Sequence, residues 1–241
     1  MVLRAVTPSA GRARPPGLEE FLLDYPGIAP RPVAGQALIL RGRFAFLASP
    51  EGKAPIEDAY DLRIEVPADF PHSLPTVTET GGRIPRRGEY HVNGNDDTLC
   101  LGSPLSLMLR LAKSPTLPGF AASCLVPYLY AISHKLRHGG PMFFGELAHG
   151  TPGVLADYRA LFGVRDDERV FATLDLLGKK KRKANKYPCP CDCGRRIGRC
   201  NFNSRVREFR IIAGRCWYRE YAHALRKAQR VEALYARATR G

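Results

Sequence analysis

The chain has 241 residues, 44% of them hydrophobic, which is enough for one good-sized domain and a small appendage. Its net charge of +14 is unevenly placed: residues 1–170 carry 18 Lys and Arg against 18 Asp and Glu, and residues 171–241 carry 19 against 5. A uniformly basic nucleic-acid coat is thereby excluded, and the positive charge belongs to the tail.

Residues 1–16 are rich in Arg, Pro, Ser and Ala and are expected as a flexible arm. They lack the apolar stretch of a signal peptide, and no run of 18 apolar residues occurs anywhere, so no membrane segment is expected. A cytoplasmic protein is the reading, in which seven cysteines are reduced, metal-bound or catalytic rather than paired. Leu18, Phe21, Leu22 and Tyr25 have the spacing of one helical face, and Pro26 and Gly27 stop the helix. Residues 37–47 and 60–66 alternate as strands with one buried face. The turn chemistry of residues 49–53 joins them into an antiparallel hairpin. Residues 67–75 form a proline-stiffened corner before a further extended run over 75–80.

The stretch around which the rest is organised follows at residues 89–101. His91 and Asn93 precede the polar turn 94–97, and Cys100 follows it after Thr98 and Leu99. A cysteine acts as a nucleophile through its thiolate, which needs access to solvent and a polarising neighbourhood; the alternative for Cys100 is a thiol buried at a strand end. Cys124 lies in an apolar stretch and is expected as packed core. Residues 101–111 and 121–134 are expected as core segments ended by Gly139, Gly140 and Pro141. A break at 150–153 then precedes a short amphipathic helix over 154–162 with Leu155, Tyr158, Leu161 and Phe162 inward. A helix opened by residues 166–168 runs to Leu177 and leads into the basic run 179–183, and residues 205–240 are basic with apolar residues loosely at helical spacing.

Residues 60–101 resemble the core of the ubiquitin-conjugating enzyme (E2) family. The likeness rests on an alternating strand, on Phe70-Pro71 and Pro75-Thr76-Val77, on His91-Val92-Asn93 in place of a His-Pro-Asn tripeptide, and on Cys100-Leu101 nine residues after His91. The resemblance spans residues 17–162 and implies an α+β, E2-like fold with an antiparallel meander sheet flanked by helices. It further implies that Cys100 carries an acyl group as a thioester and passes it to an amine. Asn93 would stabilise the oxyanion or order the loop, His91 would brace the loop, and no cofactor would be needed at that site. Val92 departs from the family's proline. Residues 142–150 look like a segment of the prokaryotic branch, where Glu146 and His149 are candidate proton shuttles or parts of a capping loop. By the same likeness the acyl donor is a ubiquitin-like protein or a nucleotide second-messenger synthase, as in antiphage operons, and the acceptor is a protein amine.

Cys189, Cys191, Cys193 and Cys200 lie within twelve residues on a loop bearing Gly and Pro. Four thiolates so spaced suit a tetrahedral structural zinc, which would hold together a module too small for a core of its own. Cys189, Cys191 and Cys200 resemble the zinc motif at the C-terminus of the bacterial preprotein translocase ATPase, whose fourth ligand position is occupied here by Asn201. Cys193 is the expected substitute and Cys216 the fallback. The expected organisation is an arm over 1–16, a catalytic domain over 17–170, a basic linker over 171–188, and a zinc module with a basic helix over 189–241. Two other functions stay open: a catalytically silent binding module of the same fold, and a basic zinc-containing nucleic-acid-binding protein whose tail grips phosphates.

Overall fold

The computed structural model describes residues 14–31, 38–142 and 150–238. Helix α1 (Leu18–Asp24) leads into a four-stranded antiparallel sheet of strands β1 (Ile28–Arg31), β2 (Leu38–Ala48), β3 (Ile56–Val66) and β4 (Thr76–Glu79), in the spatial order β1-β2-β3-β4. Each strand pairs with its sequence neighbour, so the sheet is a meander. The β2–β3 hairpin is in register from Leu38 opposite Val66 to Ala48 opposite Ile56. Alternation explains which face is covered: Leu40, Phe44 and Phe46 on β2 and Tyr60, Leu62, Ile64 and Val66 on β3 are buried, and the arginines between them on β2 are exposed. Strand β1 was not expected from the sequence. It has four residues, one of them Pro30, and sits at an edge, where a missing N–H breaks no interior ladder. Gly42 on β2 is what lets β1 approach, because a Cβ there would lie 2.1 Å from the Gly27 carbonyl oxygen.

After β4 come α2 (Pro104–Leu111) and one long helical run. The run is built of α3 (Leu117–Phe120), a π-helical stretch (Ala121–Leu125) and α4 (Val126–His138), ended at Gly139 with φ 70°. This run covers the sheet with Phe120, Leu125, Leu129 and Ile132, closing a first hydrophobic cluster. Cys124 is 1% exposed inside it, as expected of packed core.

A second cluster forms from α5 (Gly150–Phe162), α6 (Asp167–Leu177), α8 (Phe202–Ile212) and α9 (Arg215–Ala238), with the short α7 (Lys181–Ala184) and the cysteine loop against it. One expectation changes here. Residues 150–153 are the first turn of α5 rather than a break, since proline is tolerated in a first turn and the Glu232 carboxylate accepts the Thr151 backbone N–H. Residues 171–177 complete α6, the helix expected to run to Leu177, and Phe171, Leu174, Leu176 and Leu177 are core residues of the second cluster. The charged run that marks a linker in the sequence starts only after that buried helix. Helix α2 joins the clusters: Leu105 packs into the second, Leu107 and Leu111 into the first. Among the described residues no helix is long and apolar enough to cross a membrane.

Candidate active site and metal centre

The stretch around Cys100 is a tight hairpin sewn onto the sheet. Val92 pairs with Leu99 and Thr98 with Thr78 of β4, and the Leu99 N–H donates to the Val77 carbonyl at 2.7 Å. Across the hairpin the Asn93 N–H donates to the Thr98 carbonyl at 2.9 Å, and the Cys100 N–H donates to the His91 carbonyl at 2.7 Å. The nine-residue spacing between His91 and Cys100 is thus closed in space by backbone hydrogen bonds. The turn needs left-handed backbone at Asp97 (φ 57°) and His91 (φ 52°), which Asp and His tolerate better than bulkier residues.

Asn93 is exposed, and its amide donates to Thr98 Oγ1 at 2.8 Å, while that hydroxyl donates to Asp96 Oδ1 at 2.7 Å. A carboxamide has two N–H donors, of which this chain of bonds uses one. Two cavities bring Asn93 and Cys100 together. One of about 300 Å³ lies between His91, Asn93 and Cys100 on one side and Gly150 and Val154 of α5 on the other. The second, of about 470 Å³, runs from Leu74, Asn93 and Cys100 to Val154, Leu225 and Glu232. A third, mostly apolar cavity of about 320 Å³ joins His91 and Cys100 to Arg110, Cys124, Tyr128 and Met142. Cys100 stands where the three meet, half-buried at the seam between the two hydrophobic clusters.

Burial pushes the Cys100 thiol above its ordinary 9.0, against a weaker pull from a backbone hydrogen bond with Gly102. No neighbouring cation among the described residues contributes to the shift. A thiol so raised is held protonated at neutral pH.

The loop before the hairpin is held from α4, a role the sequence reading missed. The Tyr128 hydroxyl donates to the Tyr90 carbonyl at 2.8 Å, and Lys135 Nζ donates to the Glu89 carbonyl at 2.9 Å while lying 5.2 Å from the Tyr90 ring centroid. Lys135 is 9% exposed although it is a lysine, its charged end being turned to the Glu89 carbonyl and the Tyr90 ring. The segment after Cys100 is fixed from α5. Ser103 and Ser106 both donate to Asp157 Oδ2, the second at 2.6 Å, and the Leu105 N–H donates to the Tyr158 hydroxyl at 3.1 Å. The last of these satisfies a backbone N–H at the start of α2 that the helix leaves without an internal partner.

Also missed was the far wall of the cleft. Glu232, the only acidic residue after Glu220, places Oε1 3.0 Å from the Thr151 N–H and 2.9 Å from its hydroxyl, which ties α9 to α5 beside Cys100. No local motif announces it, because the contact joins residues 81 positions apart. Glu146 and His149, proposed from sequence as possible parts of the site, lie outside the described residues.

The cysteine loop assembles a separate centre. The sulfurs of Cys189, Cys191, Cys193 and Cys200 all lie within 4.8 Å of one another and could hold a metal ion. Neighbouring sulfurs are 3.2 Å apart (Cys189 to Cys191), 3.5 Å (Cys191 to Cys200) and 3.6 Å (Cys193 to Cys200). A tetrahedron with metal–sulfur bonds of about 2.3 Å has edges of about 3.8 Å, so the donor set fits. Left-handed backbone at Asp192 (φ 66°) and Gly194 (φ 70°) folds the loop tightly enough for Cys193 to join. Cys216 stands elsewhere, on α9, donating to Glu220 at 3.0 Å, and Asn201 only precedes α8, so Cys193 completes the set. Burial raises the Cys189 thiol, while the Phe202 N–H, 3.4 Å from the Cys200 sulfur, brings Cys200 down to about 7. An amide donor aimed at a sulfur is the outer-shell support that a metal thiolate uses. Compared with protein-family models, with curated proteins and with solved structures, the chain matches none.

Proposed function

We propose that the chain is a cysteine acyl transferase of the ubiquitin-conjugating type. The observation that carries this reading is the hairpin that puts Cys100 and Asn93 on the same two cavities, with a helix, a four-stranded meander and further helices in the order the E2 fold has. In the loading step Cys100 Sγ attacks the carbonyl of an activated C-terminal carboxylate. The new C–S bond replaces the bond to the leaving group, which departs with the thiol proton. In the transfer step an amine nitrogen attacks the thioester carbonyl, the C–S bond breaks, and the amine's proton ends on the departing sulfur or in water. In this reading the Asn93 carboxamide donates to the oxyanion formed in between. A thiol raised by burial suits a carrier better than an activated hydrolytic nucleophile.

The donor is a protein C-terminus, by the family likeness that of a ubiquitin-like protein or a nucleotide second-messenger synthase, and the acceptor is a protein amine. The four-cysteine centre holds zinc in a closed, structural site, and zinc supplies no step of the transfer.

The test uses peptide C-terminal thioesters of a small thiol as donors and free lysine as acceptor. Cys100→Ser should give an ester that survives dithiothreitol, in contrast to the labile adduct of the unaltered protein, and Asn93→Ala should slow discharge to lysine about a hundredfold while changing loading less. An adduct that persists in Cys100→Ala would refute the assignment.

A further inference from the structure

We propose that α7 and the cysteine loop, none of whose residues lines the cavities at Cys100, form a single binding surface for single-stranded nucleic acid. In sequence the basic run 179–183 and the arginines 195, 196 and 199 are separate features. The fold brings them together through backbone pairing: the Cys189 N–H donates to the Arg195 carbonyl at 2.9 Å, the Ile197 N–H to the Tyr187 carbonyl at 2.9 Å, and the Gly198 N–H to the Asn185 carbonyl at 3.1 Å. Pro188 and Arg196 form a β-bridge between the same two segments. Gly198 permits the closeness, since a Cβ there would come within 2.9 Å of the Asn185 backbone oxygen. Ala184 (2% exposed) and Ile197 (1%) anchor the pair in the second hydrophobic cluster, so the surface is fixed to the body of the protein.

Nine cations fall between Lys179 and Arg199, and eight of them, all but Lys179, are exposed. The one carboxylate in that span, Asp192, is already held by Arg165 at 2.8 Å and Arg169 at 2.7 Å, both from the neighbourhood of α6. The surface therefore carries +8 by formal charge, and a divalent ion with four thiolates would lower it only to +6. Charge of that density at one place attracts a chain of phosphates, and arginine forks match phosphate oxygens two at a time. Tyr187 lies among these cations and is 47% exposed, with Lys179 Nζ 5.0 Å from its ring centroid. An exposed ring set among lysines and arginines is the pairing that holds unstacked bases while the cations follow the backbone, which favours a single strand over a duplex. An acidic protein surface would use the charge but leave the ring without a role.

The experiment measures fluorescence anisotropy of a labelled 20-nucleotide oligo-dT and of a duplex of equal length with the full chain as purified, from 50 to 200 mM KCl. Engagement of about five phosphates gives a log–log slope near −3.5 for the single strand, or roughly a hundredfold weakening over that range. Lys181→Glu with Lys183→Glu and Arg196→Glu should abolish binding at 100 mM KCl, and the same three positions changed to Gln should weaken it at least thirtyfold if the reversed version folds poorly. Tyr187→Ala should cost about tenfold for the single strand and leave the salt slope unchanged. Arg207→Glu with Lys227→Glu, on exposed positions of α8 and α9, should have less than a threefold effect. The proposal is overturned by absence of binding at 50 mM KCl, by unchanged binding in the charge-reversed protein, by preference for the duplex, or by polyglutamate competing as well as unlabelled oligo-dT.

Discussion

The protonation state of Cys100 separates an acyl carrier from a thiol hydrolase, and it can be read without knowing the substrate. If His91 activated the thiol as an adjacent base, its pKa would lie near or below 7, and alkylation by iodoacetamide would change less than about twofold between pH 7 and pH 9. Burial instead raises the thiol above 9.0, with no cation among the described residues opposing it. A thiolate fraction that is still climbing through this range makes the rate rise by about 50- to 100-fold over the same two units. The assay follows the peptide bearing Cys100 by mass spectrometry after timed labelling, in zinc-replete protein carrying Cys216→Ser to remove an exposed competitor. His91→Ala should leave the profile unshifted, because burial is the largest cause of the displacement of the thiol. A plateau below pH 8, or a profile that moves by a unit or more in His91→Ala, would refute the carrier reading and restore an activated cysteine.

Other consequences follow from the same structure. The protein should bind one zinc per chain; Cys193→Ser should lower the affinity at least tenfold and Cys216→Ser should leave the stoichiometry at one, measured by competition with a chromogenic chelator. Tyr158→Phe removes the acceptor for the buried Leu105 N–H and should cost about 1–3 kcal/mol in urea unfolding; a change under about 0.5 kcal/mol would show that this bond does not secure α2. At Asp58 burial acts to raise the carboxyl, but hydrogen bonds from Arg83, Ser133 and the Ala59 N–H outweigh it and bring the pKa from 3.8 to about 2. A depressed carboxyl stabilises the fold above pH 4, and the contribution disappears as pH falls through 2. Arg83→Met should therefore remove about 1–2 kcal/mol at pH 6 and much less at pH 2, read from urea midpoints at the two pH values.

How far the sequence reached depends on the range of the interactions involved. The β2–β3 hairpin, α1, α6 and the turn before Cys100 were all legible, because alternation, helical spacing and turn chemistry act within a dozen residues. The cysteine set was legible for the same reason: its ligands span twelve residues, and only the choice of Cys193 over Asn201 or Cys216 needed the backbone turns at Asp192 and Gly194. Strand β1 escaped notice because four residues with a proline carry no period and become a strand only against β2. That α6 belongs to the second cluster was not legible, because the burial of Phe171, Leu174 and Leu177 is decided by α5 before it and by α8 and α9 after it.

The sequence by itself determined that a cysteine follows a polar turn nine residues after a histidine, that four more cysteines form a ligand set, and that the tail holds all the excess charge. Only the tertiary structure decided that Tyr128 and Lys135 hold the loop before Cys100, that Asp157 and Tyr158 hold the helix after it, and that Glu232 ties α9 across the cleft to Thr151. These partners lie between 38 and 81 residues apart in the chain. A side chain's local pattern records which face it buries, and says nothing of which distant donor or acceptor will be waiting there when the two cores close.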